Sequence, residues 1–241
     1  MKNKEVPNIS IVIPCYNIQN EVKTTVENII ENLEKYTSSF EIIIVNDGST
    51  DNTPAVIEDI KNNHQSIQTI SYSQNKGKGY AVRSGILKSV GTFVVFIDGD
   101  LDITSDAIQN YINELDTFDL VIGSKVSQYS QIEIRKSRRI LSDLFSSLVK
   151  SFTGLKIQDT QVGFKAGNGD DLRRIFKIMN INGFAFDVEL LILATEFNLR
   201  IKEMPVKLKI MKSFRFNSAV RMFWDLLRIT YNYKILHKYR K

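Results

Sequence analysis

Two aspartates separated by one glycine, Asp98-Gly99-Asp100, close a short apolar run, Thr92–Ile97. In an extended chain residues i and i+2 project to the same side, so the two carboxylates can share one cation. Gly99 lets a ligand approach the backbone closely. Two hard oxygen donors that leave positions open for phosphates suit Mg²⁺ or Mn²⁺, and Asp102 is placed to add a third carboxylate. Read in isolation, the tripeptide is also an ordinary acidic turn, because Asp-Gly is a frequent turn dipeptide. Two other apolar runs end in polar clusters, Pro14-Cys15-Tyr16-Asn17 and Asn46-Asp47-Gly48-Ser49. Gly77 and Gly79 flank Lys78 ahead of a helical pattern. Amides and an ammonium at a helix start suit phosphate oxygens, although the glycines also fit a plain loop. His64 and His237 stand too far apart in sequence to suggest a histidine metal site.

The elements that must position these residues are legible in the first half. Ile9–Ile13, Glu41–Val45, Ile67–Tyr72 and Thr92–Ile97 are β-branched and aromatic runs bounded by turn residues, with Leu120–Gly123 as a further short strand. Their near-continuous apolar character suits a sheet covered on both faces. Val22–Lys35, Thr53–Asn63, Gly79–Val90 and Ser105–Leu115 have helical spacing. Thr53-Pro54 places a capping residue before a proline at the first helical position. Strict alternation of strand and helix predicts an α/β fold with a doubly wound, mostly parallel sheet and helices on both faces. Such sheets bind ligands at the carboxyl ends of their strands, where the three polar clusters fall. The second half is less regular. Helices are expected over Ser137–Phe152 and Phe186–Glu196, a strand over Arg200–Leu208, and a long amphipathic helix over Ser218–Lys238.

Taken in order, Ile11–Asn17, Val45–Asp51, Asn75–Gly79 and Asp98–Asp100 resemble glycosyltransferase family 2, inverting enzymes with the GT-A fold. Gly123–Lys125, Arg138–Ser142, Asp159–Lys165 and Gly183–Leu191 are similar to the dolichyl- or polyprenyl-phosphate sugar synthases. The Asp-Thr-Gln and Phe-Asp-Val-Glu-Leu forms stand nearer the dolichyl-phosphate glucosyltransferases than the mannose synthases. The similarity runs from roughly Ile9 to Arg228. It implies one domain over 1–241: a nucleotide-sugar-binding half to about 123, an acceptor-binding half to about 212, then a basic loop and helix.

The resemblance also implies roles. Pro14, Tyr16, Asn17, Asp47, Lys78 and Asp98 would hold the nucleotide-sugar, with Asp47 accepting from the base. Asp98 and Asp100, with Asp102, would bind the Mg²⁺ or Mn²⁺ that bridges the diphosphate. Lys125, Arg138, Ser142, Gln161, Ser213 and Arg215 would face an acceptor phosphate. The implied reaction moves glucose from UDP-glucose to a dolichyl or polyprenyl phosphate with inversion. A lipid phosphate is already anionic and needs no strong base. A sugar or protein hydroxyl acceptor would need one, for which Asp159 or Asp187 are the candidates. A non-enzymatic nucleotide-sugar-binding regulator is the third reading. The chain departs from the family at Ile18, where glutamate is usual, at Asn46 for aspartate, and at Lys125 for arginine, which loses bidentate geometry. Phe214 and Arg215 follow Ser213 where relatives have lysine.

Composition bounds the rest. With 241 residues, 43% of them hydrophobic, the chain can bury a real core. The single cysteine, Cys15, excludes an intrachain disulfide and reads as inert packing in a reducing compartment. No secretory segment and no apolar run of ~18 residues is visible, so a cytoplasmic protein is expected. From Lys202 to Lys241 eleven Lys and Arg face two acids, against 32 basic and 27 acidic residues in the whole chain, so the remainder is net acidic. This basic end fits a peripheral contact with the anionic cytoplasmic face of a membrane, or a merely solvated tail. It lacks the motifs of a nucleic-acid-binding module, so no nucleic acid is expected. In the last helix Val220, Phe223, Trp224, Leu227 and Tyr231 share a face, suited to core packing, a homo-oligomer contact or lipid.

Overall fold

The structure, a computed structural model, describes residues 8–100, 107–127, 129–134, 136–210 and 216–239, with the side chains of 132–139 and 208–218 outside the description. The first half follows the expected alternation: β1 (Ile9–Cys15), α1 (Val22–Glu34), β2 (Phe40–Asp47), α2 (Thr53–Asn63), β3 (Ile67–Tyr72), α3 (Lys78–Lys88) and β4 (Phe93–Ile97). Then come α4 (Ala107–Glu114), β5 (Leu120–Ser124), β6 (Gln131–Ile134), α5 (Lys136–Thr153), β7 (Phe164–Asn168), α6 (Gly169–Ile178) and α7 (Phe186–Glu196). The chain ends with β8 (Ile201–Pro205), β9 (Lys207–Ile210), α8 (Phe216–Thr230) and a π-helical turn, Tyr231–Ile235.

Among the described residues a seven-stranded sheet has the order β3-β2-β1-β4-β7-β5-β8. Every strand runs the same way except β7, which is antiparallel to both β4 and β5. Alternation along each strand sends successive side chains to opposite faces, so each strand feeds two cores. Val12, Ile43, Val45, Val94 and Phe96 pack with α3, α6, α7 and the inner face of α8. Ile11, Ile13, Ile42, Ile44, Val95 and Ile97 pack with α1, α2 and α4. Each such side chain contributes about 1.5–3 kcal/mol on burial, and this two-sided burial is why the runs read as almost unbroken apolar segments.

Three expectations from sequence change. The predicted strand Arg200–Leu208 is two: β8 pairs with β5, and β9 pairs in parallel with β6. Pro205, which has no N–H to donate to a ladder, ends the first. Thr53 does not cap α2 with its side chain. Its hydroxyl instead accepts from the Ile18 amide at 2.9 Å, and Asp51 accepts from the Thr53 amide at 3.0 Å. The last helix turns its other face inward. Met222, Leu226 and Ile229 are buried, whereas Val220, Phe223, Trp224 and Tyr231 lie exposed, Trp224 at 65%. Core packing therefore does not explain the predicted stripe.

Candidate active site

Because β1, β2, β4 and β5 are parallel, their carboxyl ends share one edge. There Asn17, with φ 52°, turns the chain at the end of β1. Its carboxamide oxygen accepts from the Thr50 amide at 2.8 Å, and its own amide donates 3.1 Å to Ser49 Oγ. Asn17 thus binds the first strand end to the second. Tyr16 beside it is exposed and Pro14 half-buried. Asp47, 3% exposed, directs its carboxylate into the neighbouring loop, accepting from Lys76 N at 2.8 Å, Gly77 N at 3.0 Å and Asn75 Nδ2 at 2.9 Å. This clamp fixes the start of α3. Gly77 adopts φ 101°, a region closed to most L-residues, and a Cβ there would overlap the Asn182 carbonyl.

The clamp delivers Lys78 to Asp98. Its ammonium lies 2.7 and 2.9 Å from the two carboxylate oxygens. Burial disfavours that ammonium, but Asp98, then Asp187 and Asp100, outweigh it and raise its pKa. Burial raises the Asp98 carboxyl; Lys78 opposes this and the Asp100 charge adds to it. Strand β4 ends at Ile97, and Gly99-Asp100 forms a turn, so a turn and not strand alternation brings the two carboxylates together. Thr25 Oγ1 holds that turn through the Gly99 carbonyl at 3.0 Å. Gly163 packs so closely on Asp98 that a Cβ would overlap the carboxylate, and its carbonyl accepts from the Asp98 amide at 2.8 Å. Asp98 senses the charge of Asp100, and a cation, here Lys78, already sits on Asp98. That donor set fits a divalent ion. Among the described residues no cluster of three potential ligands occurs, and Asp102 lies outside them.

Two more ammonium–carboxylate pairs extend the pattern. Lys165 is fully buried and its Nζ donates 2.6 Å to Asp187 and 2.7 Å to the Val162 carbonyl. Burial lowers its pKa, against the pull of Asp187. Lys125 reaches both oxygens of buried Asp159 at 3.1 Å, and its amide donates to the same carboxylate at 2.7 Å. The Gln161 amide donates to Asp159 at 3.1 Å. Lys165 feels the charges of Lys78 and Asp159, so the three pairs form one neighbourhood. Ser142 is half-buried on α5, and Arg138 lies on the same helix with its side chain outside the described residues. Ser213 and Arg215 are outside them altogether. Sequence reasoning missed Lys165 as the partner of Asp187, and Glu189. A lysine in an otherwise apolar strand was the available signal.

Fold and site define a GT-A-type glycosyltransferase: a nearly parallel sheet carrying Asp98-Gly99-Asp100 at its carboxyl edge beside the start of α3. The model of the family described as "Glycosyl transferase family 2" matches residues 10–176, and the chain belongs to that family. It is 34% identical to the dolichyl-phosphate beta-glucosyltransferase of Saccharomyces cerevisiae, over 82% of this chain and 66% of that protein. It is 32% identical to the Dictyostelium discoideum protein of the same name, over 93% of this chain and 74% of the relative. The chain thus spans about two thirds to three quarters of these relatives' length. Among solved structures, glucosyl-3-phosphoglycerate synthase from Mycobacterium tuberculosis with phosphoglyceric acid superposes with a TM-score of 0.70 at 18% identity, covering 93% of this chain and 80% of that one. The same enzyme with Mn²⁺, uridine diphosphate and glucosyl-3-phosphoglycerate gives 0.66 at 19% identity, again covering 93% and 80%.

Proposed function

We propose that this chain transfers glucose, with inversion, from UDP-glucose to the phosphate of a dolichol or other polyprenol. The observation that carries the proposal is the Lys78–Asp98–Asp100 cluster at the sheet edge, in a chain similar to dolichyl-phosphate beta-glucosyltransferases. Mg²⁺ or Mn²⁺ held by Asp98 and Asp100 would neutralise charge on the departing nucleoside diphosphate. The Mn²⁺ and uridine diphosphate bound by the mycobacterial enzyme support that choice. Asp47 keeps the 75–77 loop closed, and so holds Lys78 at Asp98, where its ammonium would meet a donor phosphate oxygen. A phosphate acceptor arrives as an anion, so the site must offset repulsion between two anions more than remove a proton. The state of the two candidate bases agrees with this. Asp159 and Asp187 each hold an ammonium group and are buried, which suits them poorly to deprotonating a hydroxyl.

Among the described residues no helix is long and apolar enough to cross a membrane. The outward face of α8, with Phe223, Trp224 and the exposed Arg221 and Arg228, suits a reversible seat on anionic lipid. The test is a panel of UDP- and GDP-sugars with Mg²⁺ or Mn²⁺, with and without a polyprenyl phosphate. Formation of an organic-extractable glucolipid from UDP-glucose, abolished by a chelator, is expected. Metal-dependent binding of GDP-mannose with none of UDP would reverse the donor, and transfer that ignores the lipid phosphate would sink the acceptor.

A further inference from the structure

The end of the chain reaches back beneath the donor side of the site. Tyr239 is buried, and its hydroxyl donates 2.7 Å to Glu189 Oε1. Glu189, fully buried on α7, also accepts from the Asn180 amide at 3.0 and 3.1 Å and from the Ile181 amide at 2.8 Å. Burial and the Glu189 charge push the Tyr239 phenol up, so it remains a donor.

The segment held by Glu189 is the seat of α3. Arg83 donates 2.8 Å to the Met179 carbonyl, and the Tyr80 amide donates 3.2 Å to the Asn182 carbonyl. A Cβ at Gly79 would stand 2.7 Å from the Ile181 carbonyl and 3.0 Å from that of Gly183. From the other side, the Asp225 carboxylate of α8 would lie 2.7 Å from a Cβ at Gly183. Lys78, between two glycines pressed onto this segment, has little freedom to move unless the segment moves. A path therefore runs by hydrogen bonds from Tyr239 to Glu189 to Ile181, along the backbone to Asn182, by a hydrogen bond to Tyr80, and along the backbone to Lys78, which holds Asp98. Tyr239, Glu189, Ile181, Asn182 and Tyr80 are not among the residues assigned to the donor.

We propose that Glu189 and Tyr239 are positioning residues that hold Lys78 toward the donor phosphates, so that docking of the C-terminal segment sets donor affinity from outside the site. This rests on the donor reading of Lys78 and Asp98 given above. Tyr239→Phe keeps the ring and removes only the hydroxyl; Glu189→Gln keeps the shape and removes the charge. Two measurements decide. The first is amide exchange of residues 76–81 and 179–183 in the free protein, expected to quicken by about tenfold at both segments in Tyr239→Phe. The second is UDP affinity by calorimetry in Mn²⁺, expected to weaken by about five- to tenfold, with kcat and the acceptor KM changed less than about twofold.

A merely structural role would lower the melting temperature and leave UDP affinity intact, and that result overturns the proposal. Unchanged exchange at 76–81 in both variants does so as well. Wild-type protein that binds no UDP in Mn²⁺ would overturn the donor reading instead, and the exchange data would still decide whether the tail holds the start of α3.

Discussion

Lys165 and Asp187 face each other at 2.6 Å with side-chain exposures of 0% and 3%, joining β7 to α7 inside the protein. A buried pair depends on both members, because removing one strands the other charge away from water. Asp187→Asn is expected to cost about 3–5 kcal/mol of unfolding free energy. Lys165→Met combined with Asp187→Leu should recover most of it. Denaturant titrations check both, and a double variant no more stable than the single one contradicts the account.

Asp100→Asn should leave the fold intact and reduce transfer by at least about a hundredfold. Asp100 is exposed at the turn, so its loss removes charge from the proposed cation site without opening the core. Thermal melting and initial rates in Mn²⁺ separate the two effects. Wild-type activity persisting after thorough chelation would defeat the metal assignment.

Gly163→Ala tests how tightly Asp98 is seated. The added methyl would overlap the Asp98 carboxylate and must push it off Lys78. Loss of transfer comparable to Asp100→Asn is expected, with weaker Mn²⁺ binding detected by electron paramagnetic resonance. Unaltered Mn²⁺ affinity would show that the carboxylate has room to shift.

Asp119 binds Arg200 through two side-chain bonds, 2.9 and 3.1 Å, and accepts the Arg200 amide at 2.8 Å. The bond to Arg200 is the main reason its pKa lies below the ordinary 3.8. A depressed carboxyl stabilises the fold above its unfolded pKa and ceases to do so as pH falls through the folded one. Wild-type protein should therefore lose more stability than Asp119→Asn on acidification below about pH 4. The pair is largely solvated, so the difference should stay within about 1 kcal/mol. Parallel pH–stability curves for the two proteins would contradict it.

Vesicle binding is better tested by point changes than by truncation, because Tyr239 and Asn232 are buried and removing the tail damages the core. Phe223→Ser with Trp224→Ser should reduce sedimentation with anionic vesicles several-fold at low salt and leave the melting temperature within a few degrees. Wild-type protein should release as salt rises. Binding by the double variant equal to wild type would remove α8 from the membrane.

Sequence reading succeeded where one local pattern served one purpose. The strands β1 to β4 announce themselves because burial on both faces demands apolar residues throughout, and the polar clusters after β1, β2 and β4 mark the site edge. It failed where tertiary partners decide. Phe164–Asn168 holds a lysine and a glycine and carries no strand signal until Asp187 is known to face Lys165. α6 escapes the sequence pattern although Asn168 caps it through the Asp170 amide at 3.0 Å and Asp170 and Asp171 lie in its first turn. Lys78 reads as a phosphate ligand on local grounds. That Asp98 would be its partner depends on the meeting of β4 with the α3 start, which no local pattern encodes.

The reversed strand β7 has a consequence for how the protein is made. β4 and β5 are complete when residue 124 leaves the ribosome, yet neither pairs directly with the other. The strand that bridges them is contributed some forty residues later, at Phe164–Asn168. Until then β4 exposes one unpaired edge and β5 two, the second of which waits for β8 at Ile201–Pro205, and these edges invite contact with other nascent chains. A fragment ending near Ser124 should therefore aggregate when expressed alone and become soluble only when residues up to about 205, which supply β7, α7 and β8, are added. Polysome crowding and chaperone demand should be greatest over that window of synthesis.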